Sequence, residues 1–200
     1  MKSSLIILSF FALGLLFGLF RILPQQWTES NITFYVLCLL MFSVGLSVGH
    51  DKESVKKFRS LSPRLLLLPV MTVVGTFLGV IAVSVLIKGR SLSELLAVSS
   101  GFGYYSLSSV LITQYKGVEL GTIALLANII REVFTLLLAP WMVQHFGKLA
   151  PISAGGATTM DTTMPVIIRN SGKEYSVLSI YHGFVTDLSV PFLVTFFCSL

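Results

Sequence analysis

Four residues in the stretch 120–147 could act together: Asn128, Arg131, Glu132 and Thr135. Their i, i+3, i+4, i+7 spacing puts all four on one face of a helix. The opposite face carries Ile123, Ile130, Val133, Phe134 and Leu137, fit for lipid or apolar packing. A charge at mid-bilayer costs about 2.5–3.5 kcal/mol on insertion scales, so Arg131 and Glu132 should face protein or water. Glu132 is the candidate for holding a cation or a proton. A structural Arg131–Glu132 ion pair is the plainer alternative, although adjacent residues diverge by about 100° around a helix. The other partner open to Arg131 is Asp161, which would leave Glu132 free for a ligand.

Asp161 is flanked in sequence by Thr158, Thr159, Thr162 and Thr163. Hydroxyls around a carboxylate suit an ammonium group or a sodium ion. Alternatively Asp161 caps a half-helix that begins near Met164-Pro165, since proline suits a first helical turn. A further polar stripe runs through Ser176, Ser179, Gly183 and Asp187, with His182 and Thr186 beside it. It reads as a packed, hydrogen-bonded face. A proton route through His182 and Asp187 is the functional alternative, because histidine titrates near neutrality. Glu94, Glu119, His145 and Glu174 fall near predicted interfaces and are expected to be solvated. Cys38 and Cys198 both lie in apolar runs, so neither a disulfide framework, a metal cluster nor a cofactor is implied.

Two of the elements that must position these residues are interrupted. Segment 95–115 contains Gly101-Phe102-Gly103-Tyr104-Tyr105-Ser106. Segment 149–169 contains Gly155-Gly156-Ala157-Thr158-Thr159-Met160-Asp161. Glycine disfavours a continuous helix, and Ser and Thr can satisfy the backbone groups that a break releases. Irregular backbone at membrane depth survives only inside protein or beside a water cavity, and paired interruptions point to a transporter site. The alternative is two continuous, kinked helices with small packing faces. Three glycine pairs at four-residue spacing, Gly14/Gly18, Gly45/Gly49 and Gly75/Gly79, read instead as tight helix-packing contacts.

The whole chain supports a membrane reading. It has 200 residues, 54% hydrophobic and 12% charged, with a mean hydropathy of +0.86. Soluble domains carry about 25% charged residues. A soluble enzyme, a disordered chain and a nucleic-acid binder are excluded, despite the net charge of +5. Charge-poor runs cover residues 3–20, 30–50, 65–87, 95–115, 120–147, 149–168 and 175–200, each near the ~18 residues expected of a spanning helix. Residues 5–20 resemble a signal sequence, but no small-x-small cleavage site follows them. The loop 50–64 holds Lys52, Lys56, Lys57, Arg59 and Arg64, so the positive-inside rule places it in the cytoplasm. The N-terminus is then inside and the C-terminus outside, whether the interrupted segments span or re-enter.

The expected fold is therefore all-α: a polytopic membrane protein, residues 1–200 forming one transporter domain, with about seven hydrophobic segments of which 95–115 and 149–169 are broken or re-entrant. It is a secondary transporter rather than an enzyme, and no P-loop points to ATP. Buried carboxylates suit an amine and a coupling proton, and half-helix N-termini suit a carboxylate. An amino acid offers both groups.

The blocks Ser100-Gly101-Phe102-Gly103-Tyr104-Tyr105-Ser106-Leu107-Ser108, Asn128-Ile129-Ile130-Arg131-Glu132, Gly155-Gly156-Ala157-Thr158-Thr159-Met160-Asp161-Thr162-Thr163-Met164-Pro165 and Tyr181-His182-Gly183-Phe184 resemble the bacterial lysine exporter LysO family. Leu40-Met41-Phe42-Ser43-Val44-Gly45-Leu46 resembles a further family block. The resemblance covers nearly the whole chain. It implies export of L-lysine across the bacterial inner membrane in exchange for protons, an antiporter whose intramembrane glutamate falls on Glu132. Lysine's carboxylate would meet backbone N–H groups between Gly101 and Ser106, and its ammonium groups Glu132 and Asp161. Longer family members carry an additional N-terminal part with an acidic residue of its own. The resemblance thus implies a homo-oligomer, or a complex with a short membrane protein supplying that part. Asp51 lies near the comparable place in this half. Two rival readings are a sodium-coupled carrier of organic ions or amino acids, and a membrane subunit that needs a partner to transport.

Overall fold

The computed structural model describes residues 63–200, together with Phe17, Tyr35 and Leu39, which are helical. By backbone contacts the chain divides into two units, Met1–Ser47 and Val48–Leu200. The elements below belong to the second. The glycine pairs Gly14/Gly18 and Gly45/Gly49, Cys38, the Leu40–Leu46 block, Asp51 and the basic loop lie outside the described residues, as do the first two hydrophobic segments.

Among the described residues the fold is all-helical, without strands. After a single turn at Pro63–Leu66 come α1 (Leu68–Ser84), α2 (Leu92–Ser99), α3 (Tyr105–Lys116), α4 (Val118–Phe146), α5 (Ala150–Gly155), a 3-10 turn at Gly156–Met160, α6 (Met164–Ser171) and α7 (Ser176–Cys198).

Local sequence accounts for most boundaries. Ser91 opens α2 with a reciprocal capping box: its Oγ accepts the Glu94 N–H, and Glu94 accepts the Ser91 N–H. Prolines sit in the first turns of α1, α5 and α6, where no N–H is needed. Helices α3 and α4 end at Gly117 and Gly147.

Among the described residues two helices are long and apolar enough to cross a membrane: Val118–Phe146, and the stretch Lys173–Cys198 that contains α7. At 1.5 Å per residue, α4 is about 43 Å long, more than the ~30 Å hydrocarbon core. Its outward face is the one the spacing predicts, with Ile123, Ile130, Val133, Phe134 and Leu137 all exposed. Its inward face buries Leu120, Gly121, Ala124, Asn128, Thr135 and Ala139 against the bundle. In α7 the polar stripe also turns inward: Ser179, His182, Gly183, Thr186 and Asp187 are buried. A small apolar cluster of Ile152, Ile167 and Leu178 holds α5, α6 and α7 together, flanked by Leu65, Leu68, Leu149, Tyr175 and Tyr181.

Gly75 and Gly79 make no close packing contact with the other described residues. Among the described residues nothing lies within 4 Å of a Cβ added at either position. They line an open groove of about 460 Å³ with Val83, Leu95, Asn128 and Arg131. Among the described residues, backbone atoms approach closely at Gly121, Gly156 and Gly183, and side chains press on Gly101 and Gly155. Four-residue spacing marks a possible packing face, but only the route of neighbouring elements decides whether it is used.

Candidate functional site

The two interruptions meet. The first runs from Ser100 to Tyr104, between α2 and α3, and the second from Gly156 to Thr163, between α5 and α6. The Ala157 N–H donates to the Phe102 carbonyl at 2.9 Å, so the two irregular stretches touch backbone to backbone. Glycine is needed on both sides. Gly103 has φ +93° and Gly156 φ +62°, and a Cβ on Gly156 would collide with the Phe102 carbonyl. Phe102 itself adopts φ +45° and is fully buried. Its ring lies against Phe77 and beneath the Arg131 guanidinium, 5.5 Å from ring centroid to cation.

Helix α4 braces both interruptions from one face. Asn128 Oδ1 accepts the Gly103 N–H at 2.7 Å, and its Nδ2 donates to the carbonyls of Ala124 and Val98 and to Ser108 Oγ. One turn later Arg131 donates through Nε to the Ala154 carbonyl at 2.8 Å and through a terminal nitrogen to the Ser153 carbonyl at 3.2 Å. These carbonyls close α5, where the helix dipole is negative, so the guanidinium sits where a cation is favoured. These bonds replace both pairings the sequence leaves open to Arg131, with Glu132 and with Asp161. Among the described residues Arg131 makes no ion pair with Asp161 or Glu132, because the freed carbonyls of the broken helix take its donors.

Helix α7 closes the other side. A Cβ on Gly183 would lie 2.7 Å from the Met160 nitrogen, so only glycine lets α7 approach the 3-10 turn this closely. Thr159 Oγ1 donates to the Ser179 carbonyl at 2.9 Å and lies 3.4 Å from His182 Nδ1. His182, wholly buried, is hydrogen-bonded through Nε2 to Thr72 Oγ1 at 2.9 Å. Thr72 in turn meets Ser153 Oγ at 2.5 Å. A continuous polar chain thus links α1, α5, the 3-10 turn and α7. Thr72 was not legible as a site residue. Its only signal is a hydroxyl in a mostly apolar run that also holds Thr76 and Ser84.

The threonines do not converge on Asp161. Thr158 Oγ1 donates to the Gly155 carbonyl and meets Thr163 Oγ1, while Thr159 bonds the Gly156 and Ser179 carbonyls. Only Thr162 touches the Asp161 carboxylate: its N–H donates to Oδ1 at 2.5 Å and its hydroxyl lies 3.3 Å away, while the Asp161 N–H donates to the Thr158 carbonyl. Asp161 and Thr162 are exposed, and Asp161 does not cap α6. The released carbonyls of the second interruption consume the hydroxyls that the sequence assigns to a ligand.

The first interruption is also more self-sufficient than expected. The N–H groups of Gly101, Phe102, Tyr104 and Tyr105 donate to backbone carbonyls, and that of Gly103 to Asn128. Of the N–H groups expected to hold a carboxylate, that of Ser106, on the exposed first turn of α3, remains without such a partner. Tyr104 is half-buried and Tyr105 exposed. Glu132 is half-buried beside Arg131 and has no ion pair among the described residues.

Of the groups expected at interfaces, Glu119 and Glu174 are exposed, the former paired with Arg90 and the latter with Lys148. Arg90 also reaches Glu94. His145 is exposed and bonds the Trp141 carbonyl.

The family model described as lysine exporter LysO matches residues 8–198. The chain belongs to the lysine exporter LysO family. A Haemophilus influenzae protein named putative lysine exporter is 35% identical over 179 residues, covering 88% of this chain and 90% of that one. The Escherichia coli protein named lysine exporter LysO is 34% identical over 173 residues, covering 86% of this chain and 56% of that one. The chain therefore spans little more than half the length of this second LysO relative. No solved structure matches. The family's description is that of an exporter, a transporter family rather than an enzyme family.

Proposed function

We propose that this chain exports L-lysine and close cationic analogues from the cytoplasm across the bacterial inner membrane, in exchange for protons. The observation that carries the reading is the backbone contact between Phe102 and Ala157, where two interrupted helices meet under a face bearing Asn128, Arg131 and Glu132. Both relatives' names supply the substrate. Interrupted helices suit an amino acid because their half-helix ends carry partial charge of both signs.

In this reading the lysine carboxylate meets the N-terminal turn of α3, at Ser106, and the ammonium groups face Glu132 and Asp161. Glu132 alternates between substrate and proton. Protonation from outside weakens cation binding and releases lysine outward; deprotonation inside restores the site. Segments 95–115 and 149–169 re-enter or cross as broken helices, with the N-terminus inside and the C-terminus outside. The chain works as a homo-oligomer or beside a short membrane protein. His182 and Asp187 belong to the same polar core.

The test is lysine counterflow driven by a proton gradient, in proteoliposomes containing this chain. Flux should vanish in Glu132→Gln, which keeps the side-chain shape and removes the charge. Proton-driven lysine flux persisting in that variant would overturn the assignment of Glu132.

A further inference from the structure

Asp187 is a buried carboxylate without a protein partner. It is 4% exposed, and among the described residues neither a hydrogen bond nor an ion pair reaches it. The hydroxyls beside it are engaged elsewhere. Thr186 donates to the His182 and Gly183 carbonyls, and Ser189 to the Thr186 carbonyl. Two turns earlier on the same face, Ser179 Oγ is buried and also unpartnered. An ionised carboxylate so placed is strongly unfavourable until something completes it.

What lies near it is more acid. Asp187 sits one turn beyond Gly183, where α7 presses on the Met160 backbone. Asp161 follows Met160 directly and uses Oδ1 on Thr162. Tyr104 follows Gly103, which abuts the Gly155 carbonyl and Thr158. Asp161, Asp187 and Tyr104 are within electrostatic reach of one another. Among the described residues Arg131, a cation on α4 that could neutralise them, is aimed at the Ser153 and Ala154 carbonyls. One carboxylate is buried and one is exposed, so a cation entering past Asp161 would have a second acid waiting.

The geometry points to a seat for a single monovalent cation, a primary ammonium or a sodium ion, formed by the Asp187 and Asp161 carboxylates with the Tyr104 hydroxyl. It is separate from Glu132, which lies on α4. Only the identity of the cation as a lysine ammonium rests on the lysine-export reading.

The test uses the full chain purified in detergent, with ligand affinity read from thermal stabilisation. The probes are L-lysine, L-norleucine (which replaces the side-chain ammonium with a methyl group) and sodium chloride, against choline chloride at equal ionic strength. The expected result is stabilisation by lysine but not norleucine, with apparent affinity falling about tenfold or more in Asp187→Asn, as for loss of one charge-assisted bond. Asp161→Asn, at an exposed position, should weaken it similarly and guards against a folding defect in the buried variant. Stabilisation by sodium instead, lost in both variants, would assign the seat to an inorganic ion and still support it. Equal affinities in wild type and both variants, or no cation effect at all, would overturn it. Failure of the lysine-export reading would look different: no lysine flux, with Asp187-dependent sodium binding intact.

Discussion

Arg131 donates through Nε to the Ala154 carbonyl at 2.8 Å, so a charged side chain on α4 completes the C-terminal end of α5. Asn128, one turn earlier, accepts the Gly103 N–H through Oδ1. Helix α4 thus supplies from a single face the polar groups that both interruptions lack.

Arg131→Lys should show how much of this depends on the guanidinium fork. Lysine keeps the charge but cannot reproduce two donors in fixed geometry. We expect a loss of about 1.5–3 kcal/mol of stability, the value of one hydrogen bond to a charged group. Thermal unfolding in detergent measures it. Unchanged stability would mean that charge alone suffices at the end of α5.

Two glycine sites should respond in opposite directions. Gly183→Ala places a Cβ 2.7 Å from the Met160 nitrogen, a backbone atom that cannot rotate away. That change should lower the melting temperature and reduce transport. Gly75→Ala meets open space among the described residues. There alanine should be neutral or stabilising by up to about 1 kcal/mol, its helix-propensity advantage over glycine. Equal destabilisation at both positions would contradict the packing described.

Thr72 and His182 should be coupled. Thr72→Val removes the hydroxyl that faces both His182 Nε2 and Ser153 Oγ. Combined with His182→Gln in a double-mutant cycle, it should give an interaction energy of about 0.5–3 kcal/mol. Additive losses would mean that the polar chain is a set of independent contacts.

The sequence readily locates some of this and hides the rest. Glycines and hydroxyls mark both interruptions because Gly103 and Gly156 adopt positive φ and nearby hydroxyls satisfy freed backbone carbonyls. The i, i+3, i+4, i+7 pattern predicts the inward face of α4, since a helix has a fixed period. The partners of Arg131 were not legible: they are main-chain oxygens, which every residue possesses and no residue type announces. The threonines around Asp161 misled for the same reason, their hydroxyls being spent on carbonyls released nearby. Thr72 carries no pattern of its own and matters only because α1 passes beside His182 and Ser153.

The bond from the Ala157 N–H to the Phe102 carbonyl has a consequence for how such a protein can diverge. A joint between two main chains contains no side-chain atom. At position 157 it survives most exchanges of residue type, with only proline deleting the donor outright, while Gly156 must stay glycine for the Phe102 carbonyl to approach. The surrounding side chains can therefore drift toward a new cargo while the joint keeps its form.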